Sequence, residues 1–225
     1  MRIRILLLFF SVSTTLLWTL LVPLWDGFDE SHHFSYVQSL AVNRTFPVLG
    51  RTSLTHEVWT SLRQSPVSAA VKLCYPMLRT FDEFRSGGEP LAVAASPPPP
   101  NYESHQAPLA YALLAPVEFA TAHSGVPIEW RVRLLRILLL APAMWLFWRI
   151  TAACGPHQPT AFFMVATTEM FLASCGHIAN DALAIPVFVW LYFEAERRSW
   201  RAPVLLAIGL LTKSYFLALA PIVIW

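Results

Sequence analysis

The sequence predicts an all-α protein of the polytopic integral membrane class, with a long extracytoplasmic first loop that contains interfacial helices. Hydrophobic residues make up 56% of the chain and charged residues only 13%, about half of the roughly 25% that soluble domains carry. Apolar runs follow one another through the second half of the chain. The net charge of +2 is too small to indicate a nucleic-acid partner.

The N-terminus predicts a retained first transmembrane helix, residues 1–24. Its apolar run is longer than the core of about 7–15 residues that signal peptides have, and no Ala-x-Ala cleavage site follows. A cleaved signal peptide is the alternative. Arg2 and Arg4 keep the N-terminus cytoplasmic by the positive-inside rule, so residues 25–106 are expected outside. The bacterial inner membrane is the expected location.

Residues 25–106 predict an extracytoplasmic loop with helices of its own. The loop holds eight of the fourteen acidic residues, and structureless loops of that length are rare. An amphipathic pattern over residues 29–46 predicts a helix in the membrane interface, which Pro47 ends. The proline-rich residues 96–101 predict a short polyproline spacer back to the membrane.

Residues 107–225 predict a multi-span membrane module. The candidate spans are residues 107–123, 132–150, 159–176, 181–195 and 203–225, and several are shorter than the roughly 20 residues needed to cross a bilayer. Two topologies remain open, since residues 107–123 either cross the membrane or form a re-entrant helix. The chain is still apolar at Trp225, which predicts a truncated chain or the N-terminal part of a larger protein.

The first candidate site directly follows the first helix, in the segment WDGFDESHHF at residues 25–34. Asp29 and Glu30 precede His33 by four and three residues, so on a helix these side chains share a face. Carboxylate and imidazole groups at this spacing can bind a divalent cation or perform general acid–base chemistry. The alternative is a helix cap, in which Asp26 or Asp29 binds free N–H groups and the helix dipole favours Glu30.

The second candidate site is the polar run that ends at His105 and Gln106, where an apolar helix begins. Pro108 suits the first turn of that helix, because its missing N–H is not needed there. The alternative is an interfacial anchor in which Tyr102 and Tyr111 belong to the aromatic belt.

Later polar residues stand alone between apolar runs. Asn180 and Asp181 separate two such runs, and Asp181 would share a helix face with His177 or cap the following helix. Lys213 lies within the last apolar run, where a lysine must face a cavity, pair with an acid or snorkel. Lysine binds phosphate as a point charge, so Lys213 is a candidate phosphate ligand.

These clusters, in this order, resemble the GT-C superfamily of multi-span glycosyltransferases, which includes protein O-mannosyltransferase and aminoarabinose-transferase types. Residues 29–34 (DESHHF), followed by Phe46-Pro47, are similar to the family's first-loop motif DE-x-x-H-F…P. Residues 105–111 (HQAPLAY) are similar to its Q-P-P-L-Y-Y element, with alanine at 107 and 110 where the family prefers proline and tyrosine. Residues 180–183 (NDAL) and 211–213 (LTK) have counterparts in related bacterial membrane proteins. The likeness covers nearly all of this chain, but only the N-terminal part of a typical member.

The resemblance implies transfer of a sugar from a polyprenyl-phosphate donor to an acceptor on the extracytoplasmic face. Asp29 or Glu30 would be the catalytic base or a metal-associated acid, with His33 beside them, and a divalent cation is the implied cofactor. The remaining implied substrate-binding residues are His105, Gln106, Asn180, Asp181, Arg131 and Lys213, of which Arg131 and Lys213 would neutralise the leaving phosphate. The alternatives are a non-catalytic transporter or assembly subunit, supported by Glu169 and Lys213, and an inactive fragment.

Overall fold

The computed structural model describes residues 2–27, 29–87, 97–153 and 168–224. Within these ranges the chain forms eleven α-helices and two 3₁₀ helices and no β-strand. The α-helices are α1 (Arg2–Leu21), α2 (Glu30–Ala41), α3 (His56–Gln64), α4 (Ala69–Cys74), α5 (Phe81–Arg85), α6 (Leu109–His123), α7 (Ile128–Ala153), α8 (Glu169–Gly176), α9 (Asp181–Glu196), α10 (Arg201–Leu210) and α11 (Ala220–Ile224). The first 3₁₀ helix is Tyr102–His105 and the second is Ser214–Leu219.

Helix α2 is the central element, since eleven of its twelve residues are buried. It begins after Asp29, whose φ of 54° is left-handed, a conformation that aspartate tolerates better than most residues. It ends at Ala41 rather than near Pro47. The predicted amphipathic helix in an interface is therefore wrong, because both faces of α2 pack against protein.

The main hydrophobic core surrounds α2. Side chains from α2, α3, α6, α7, the start of α9 and the intervening loops form one contiguous cluster, whose largest members include Trp25, Phe34, Trp59 and Tyr111. A second cluster joins α9, α10 and the second 3₁₀ helix around Leu191 and Phe216. Gly209 is essential to that packing, since a Cβ there would lie 2.1 Å from Cδ1 of Phe216.

The prediction of a multi-pass membrane protein, and with it the predicted inner-membrane location, is wrong. Among the helices in the described ranges, none combines the length and the hydropathy needed to cross a membrane. Helices α6, α9 and α10 have 15, 16 and 10 residues, fewer than the roughly 20 that a bilayer requires.

The two longer helices carry charge and pack against protein. Helix α7 has 26 residues, but four of its first nine are charged, and two of these, Arg131 and Arg136, are buried in ion pairs. Helix α1 has 20 residues, begins with two arginines within its first turn, and contacts α7 and α8. Part of the apolar surface of these two helices is buried in these contacts, while Phe9, Leu21 and Trp145 are more than half exposed.

Three sequence features lie wholly or partly outside the described residues. The predicted span 159–176 is described only from residue 168, and the polyproline spacer only from residue 97. The side chain of Glu169 also lies outside the described part.

Candidate functional site

A polar cavity of about 250 Å³ lies between α2, the first 3₁₀ helix, α8, the N-terminus of α9 and the end of α10. We call it the polar cavity. Its polar lining comprises Asp29, His33, Glu103, Gln106, Ser174, His177, Asn180, Asp181 and Lys213. Residues from all the candidate clusters in the sequence therefore meet at one place.

Asp29 and Glu103 give the polar cavity an acidic side. The carboxylate of Asp29 accepts a hydrogen bond from the hydroxyl of Tyr102, and burial, followed by this bond, raises the pKa of Tyr102. The phenol therefore stays protonated as the donor. One oxygen of Asp29 is thereby engaged, while the residue itself remains exposed.

Glu103 was not among the predicted site residues, yet its carboxyl group has a free oxygen. Its Oε2 is buried and has no hydrogen-bond partner among the described residues. Burial raises the pKa of Glu103 above its ordinary value, as desolvation does for any carboxyl group. Asn101 fixes the backbone here, because its side chain accepts from the N–H of Glu103 at 3.0 Å and donates to the carbonyl of His32 at 3.0 Å.

His33 projects from α2 into the polar cavity, close to both Glu103 and Lys213. Its Nδ1 lies 2.7 Å from the hydroxyl of Tyr111 and 3.8 Å from Oε2 of Glu103. Burial is the main cause that lowers the pKa of His33 well below 6.5, and the nearby His177 and Lys213 lower it further. The imidazole is therefore neutral at neutral pH.

Lys213 and Asp181 form the cationic side of the polar cavity. Lys213 Nζ lies 2.5 Å from Oδ1 of Asp181, and both side chains are partly exposed. Asn180 lies next to them and is fully buried. Its Nδ2 donates to Oε1 of Gln106 at 3.0 Å and to the carbonyl of Thr212 at 3.3 Å. Its Oδ1 is buried without a hydrogen-bond partner in the described part of the chain.

Three of the predicted site residues lie elsewhere. Glu30 is completely buried and binds Arg136 through both carboxylate oxygens. Arg131 is buried between Glu57 and Glu118. His105 is exposed, and its Nδ1 donates to the carbonyl of Tyr102 at 2.5 Å.

The set Asp29, Glu30 and His33 does not form a cation site in this structure. Arg136 occupies both oxygens of Glu30, and Tyr111 occupies Nδ1 of His33. The described residues also contain no other group of three or more His, Cys, Asp or Glu side chains placed to hold a metal ion.

A second, mainly apolar cavity of about 410 Å³ adjoins the polar cavity. Met170 and His177 line both cavities. Trp18 on α1, Val22 directly after α1 and Ala173 on α8 add apolar surface. We call it the apolar cavity. The two together offer a ligand one polar and one apolar compartment.

No family model, curated protein or solved structure matches this chain. The resemblance to GT-C enzymes therefore depends on the sequence motifs alone.

Proposed function

We propose that this chain is a glycosyltransferase that takes its sugar from a phosphate-linked donor, with polyprenyl phosphate as the carrier that the sequence resemblance implies. One observation carries the proposal: carboxyl groups at residues 29 and 103 and an ammonium group at residue 213 line a single polar cavity. Glycosyl transfer from a phosphate needs both kinds of group, a proton acceptor for the attacking oxygen or nitrogen and a cation for the leaving phosphate.

Lys213 suits the leaving-group side of this reaction. Breaking the bond between the sugar and the phosphate oxygen moves negative charge onto the phosphate, and an ammonium group fixed nearby stabilises that charge. Asp181 holds Nζ of Lys213 at the cavity. It also keeps the lysine paired until a phosphate replaces or joins the carboxylate.

A carboxylate on the acidic side suits the acceptor. In a direct displacement the acceptor's oxygen or nitrogen forms the new bond to the sugar while the phosphate leaves, and the acceptor's proton passes to a base. Glu103 has a free buried oxygen and a raised pKa, which brings its basicity closer to the working pH. Asp29 has one oxygen engaged by Tyr102, so Glu103 is the better placed base of the two. A single displacement of this kind inverts the configuration at the sugar carbon.

The apolar cavity supports a lipid carrier. A polyprenyl-phosphate sugar has a polar head and an isoprenoid chain, and the two adjoining cavities match that division. With the phosphate beside Lys213, the first isoprene units can lie past Met170 against Trp18 and Val22. Burying them is favourable at about 25 cal/mol for each Å² of apolar surface.

Transfer from a labelled donor tests the proposal. The purified chain is mixed in detergent with polyprenyl-phosphate mannose or polyprenyl-phosphate aminoarabinose, each labelled in the sugar, and with glycerol or ethanolamine as acceptor. We expect label to move from the organic to the aqueous phase with one of these donors. Release into water alone would still report cleavage of the sugar–phosphate bond.

Matched lysine variants control this assay. Lys213→Ala should lower the release on the order of 100-fold, the usual consequence of losing one charge-stabilising group. Lys72→Ala removes a partly exposed lysine that pairs with Glu83 away from the polar cavity, and should release label like the wild type. Absence of release by the wild type, or equal release by the two variants, would contradict the proposal.

A further inference from the structure

Tyr111 and His33 form a buried, geometrically fixed pair beside the polar cavity. Tyr111, on α6, is 1% exposed and His33, on α2, is 6% exposed. The tyrosine hydroxyl lies 2.7 Å from Nδ1 of the imidazole. On its other side the ring of Tyr111 stacks on Tyr36, with 4.1 Å between the ring centroids. Neither ring can turn away without disturbing the core.

The direction of this hydrogen bond follows from the groups available. Burial raises the pKa of Tyr111, so the hydroxyl keeps its proton and must donate it. Among the described residues, its one hydrogen-bond partner is Nδ1 of His33. If Nδ1 carried the proton and donated instead, the hydroxyl proton would be buried without an acceptor, which costs about 1–3 kcal/mol. Donation from Tyr111 to Nδ1 satisfies both groups.

We propose that Tyr111 is a positioning residue that holds His33 in the tautomer protonated at Nε2, so that His33 offers the ligand a neutral N–H donor. The imidazole has two nitrogens, and Tyr111 occupies one of them. His33 lines the polar cavity. Its Nε2–H group is then available to donate a hydrogen bond to a ligand.

This tautomer changes the role that the sequence indicates for His33. A neutral ring whose Nδ1 lone pair is engaged and whose Nε2 carries hydrogen has no free lone pair. It therefore acts neither as a general base nor as a metal ligand. Glu103 does not alter this conclusion, because its Oε2 lies 3.8 Å from Nδ1, beyond hydrogen-bond distance.

The ligand atom that His33 contacts is an oxygen acceptor. A phosphate oxygen or a sugar oxygen of the proposed donor fits, and this part of the inference rests on the proposed function. An N–H donor is most useful where negative charge develops during the reaction. We therefore assign the contact of His33 to the leaving phosphate, the same group that Lys213 would bind.

Nitrogen NMR tests the tautomer without any need for catalysis. The chain is labelled with ¹⁵N-histidine, and long-range proton–nitrogen correlations at neutral pH distinguish the protonated ring nitrogen from the bare one. His33→Gln identifies the signals. We expect a single tautomer protonated at Nε2 in the wild type, and a mixture of tautomers in Tyr111→Phe. Tyr36→Phe keeps the hydroxyl of Tyr111 and should keep the wild-type pattern.

Three NMR results would overturn the inference. They are a wild-type ring protonated at Nδ1, a ring protonated at both nitrogens, and an unchanged spectrum in a folded Tyr111→Phe variant. Circular dichroism establishes that the variant is folded. Should Tyr111→Phe fail to fold, the wild-type spectrum alone still decides which nitrogen carries the proton.

The activity of substituted proteins tests the donor role. Glutamine at position 33 keeps an N–H donor but cannot accept a proton at neutral pH. We therefore expect His33→Gln to retain about a tenth or more of the wild-type kcat, His33→Ala to lose about 100-fold, and Tyr111→Phe to lose about 10-fold with little change in KM. Equal losses in His33→Gln and His33→Ala would mark His33 as a base and overturn the inference. A wild type that transfers no sugar would contradict the proposed function and leave the NMR test of the tautomer intact.

Discussion

Glu30 and Arg136 form a fully buried, two-pronged ion pair between α2 and α7. Arg136 Nε lies 2.7 Å from Oε1 and Nη2 lies 2.5 Å from Oε2 of the carboxylate. The guanidinium group also donates to three backbone carbonyls at and just after the end of α1, those of Thr19, Val22 and Pro23, at 2.8–3.0 Å. Glu30 in turn accepts from the N–H of Ile178. One pair thus joins four segments: α2, α7, the end of α1 and the loop before α9.

Glu30→Gln should strongly destabilise the protein. The amide leaves Arg136 buried without its counter-charge, and removing one partner of a buried pair typically costs about 3–5 kcal/mol. Urea denaturation followed by circular dichroism measures the loss. Glu83→Gln is the matched control, since Glu83 pairs with Lys72 at the surface and glutamine preserves its capping contact with Thr80. If both variants unfolded at the same urea concentration, the structural role of Glu30 would be refuted.

Gly27→Ala should displace His177 from the polar cavity. A Cβ at position 27 would lie 2.6 Å from Cβ of His177, closer than two such atoms can approach. Overpacking of this kind costs about 1–3 kcal/mol, which thermal denaturation detects. The double variant Gly27→Ala/His177→Gly should recover part of the loss, because Cβ and Cγ of His177, the two atoms closest to the added methyl group, are then gone. If the two residues are in direct contact, the double variant should lose less stability than the two single variants lose together. A loss equal to or larger than that sum would argue against direct contact.

Protein stability should fall as the pH falls from 6.5 to 4, in part through His32. Burial lowers the pKa of His32 to about 4 in the folded chain, whereas the unfolded value is about 6.5. Between these values the unfolded chain binds a proton that the folded chain excludes, so stability is full above pH 6.5 and is lost on acidification. The contribution is on the order of 3 kcal/mol.

Histidine variants isolate this contribution. Urea denaturation at a series of pH values should give a shallower slope for His32→Gln than for the wild type between pH 6.5 and 4. His56→Gln, which replaces an exposed histidine, should follow the wild-type curve. An unchanged slope in a folded His32→Gln variant would show that His32 titrates alike in both states.

Local sequence patterns predicted several helices and most of the cavity lining. The start of α2 near residue 29 and that of α9 at Asp181 follow from Asp and Asn at helix N-termini and from the apolar runs behind them. Six predicted site residues line the polar cavity, namely Asp29, His33, Gln106, Asn180, Asp181 and Lys213. They could be found because each is a polar residue within an apolar run or at its boundary.

The remaining features depend on contacts between distant residues. Glu30 and Arg136 are 106 positions apart, and no local spacing indicates that one neutralises the other. Glu103 is one acid among eight in its segment, and its buried oxygen without a hydrogen-bond partner in the described residues is a property of the fold rather than of the local sequence. The membrane prediction failed for a related reason: composition reports that much of the chain is apolar, but not whether any helix in the described residues combines the length and the hydropathy needed to cross a membrane.

One experiment tests the central claim most directly. It measures the single-turnover rate of sugar transfer and, separately, the affinity for the donor in the variants Glu103→Gln and Lys213→Ala. If the polar cavity performs glycosyl transfer from a phosphate, Glu103→Gln should bind polyprenyl-phosphate sugar like the wild type and transfer it at least about 100-fold more slowly. Lys213→Ala should bind the donor more weakly and transfer the sugar more slowly. Wild-type rates and affinities in both variants would contradict the account.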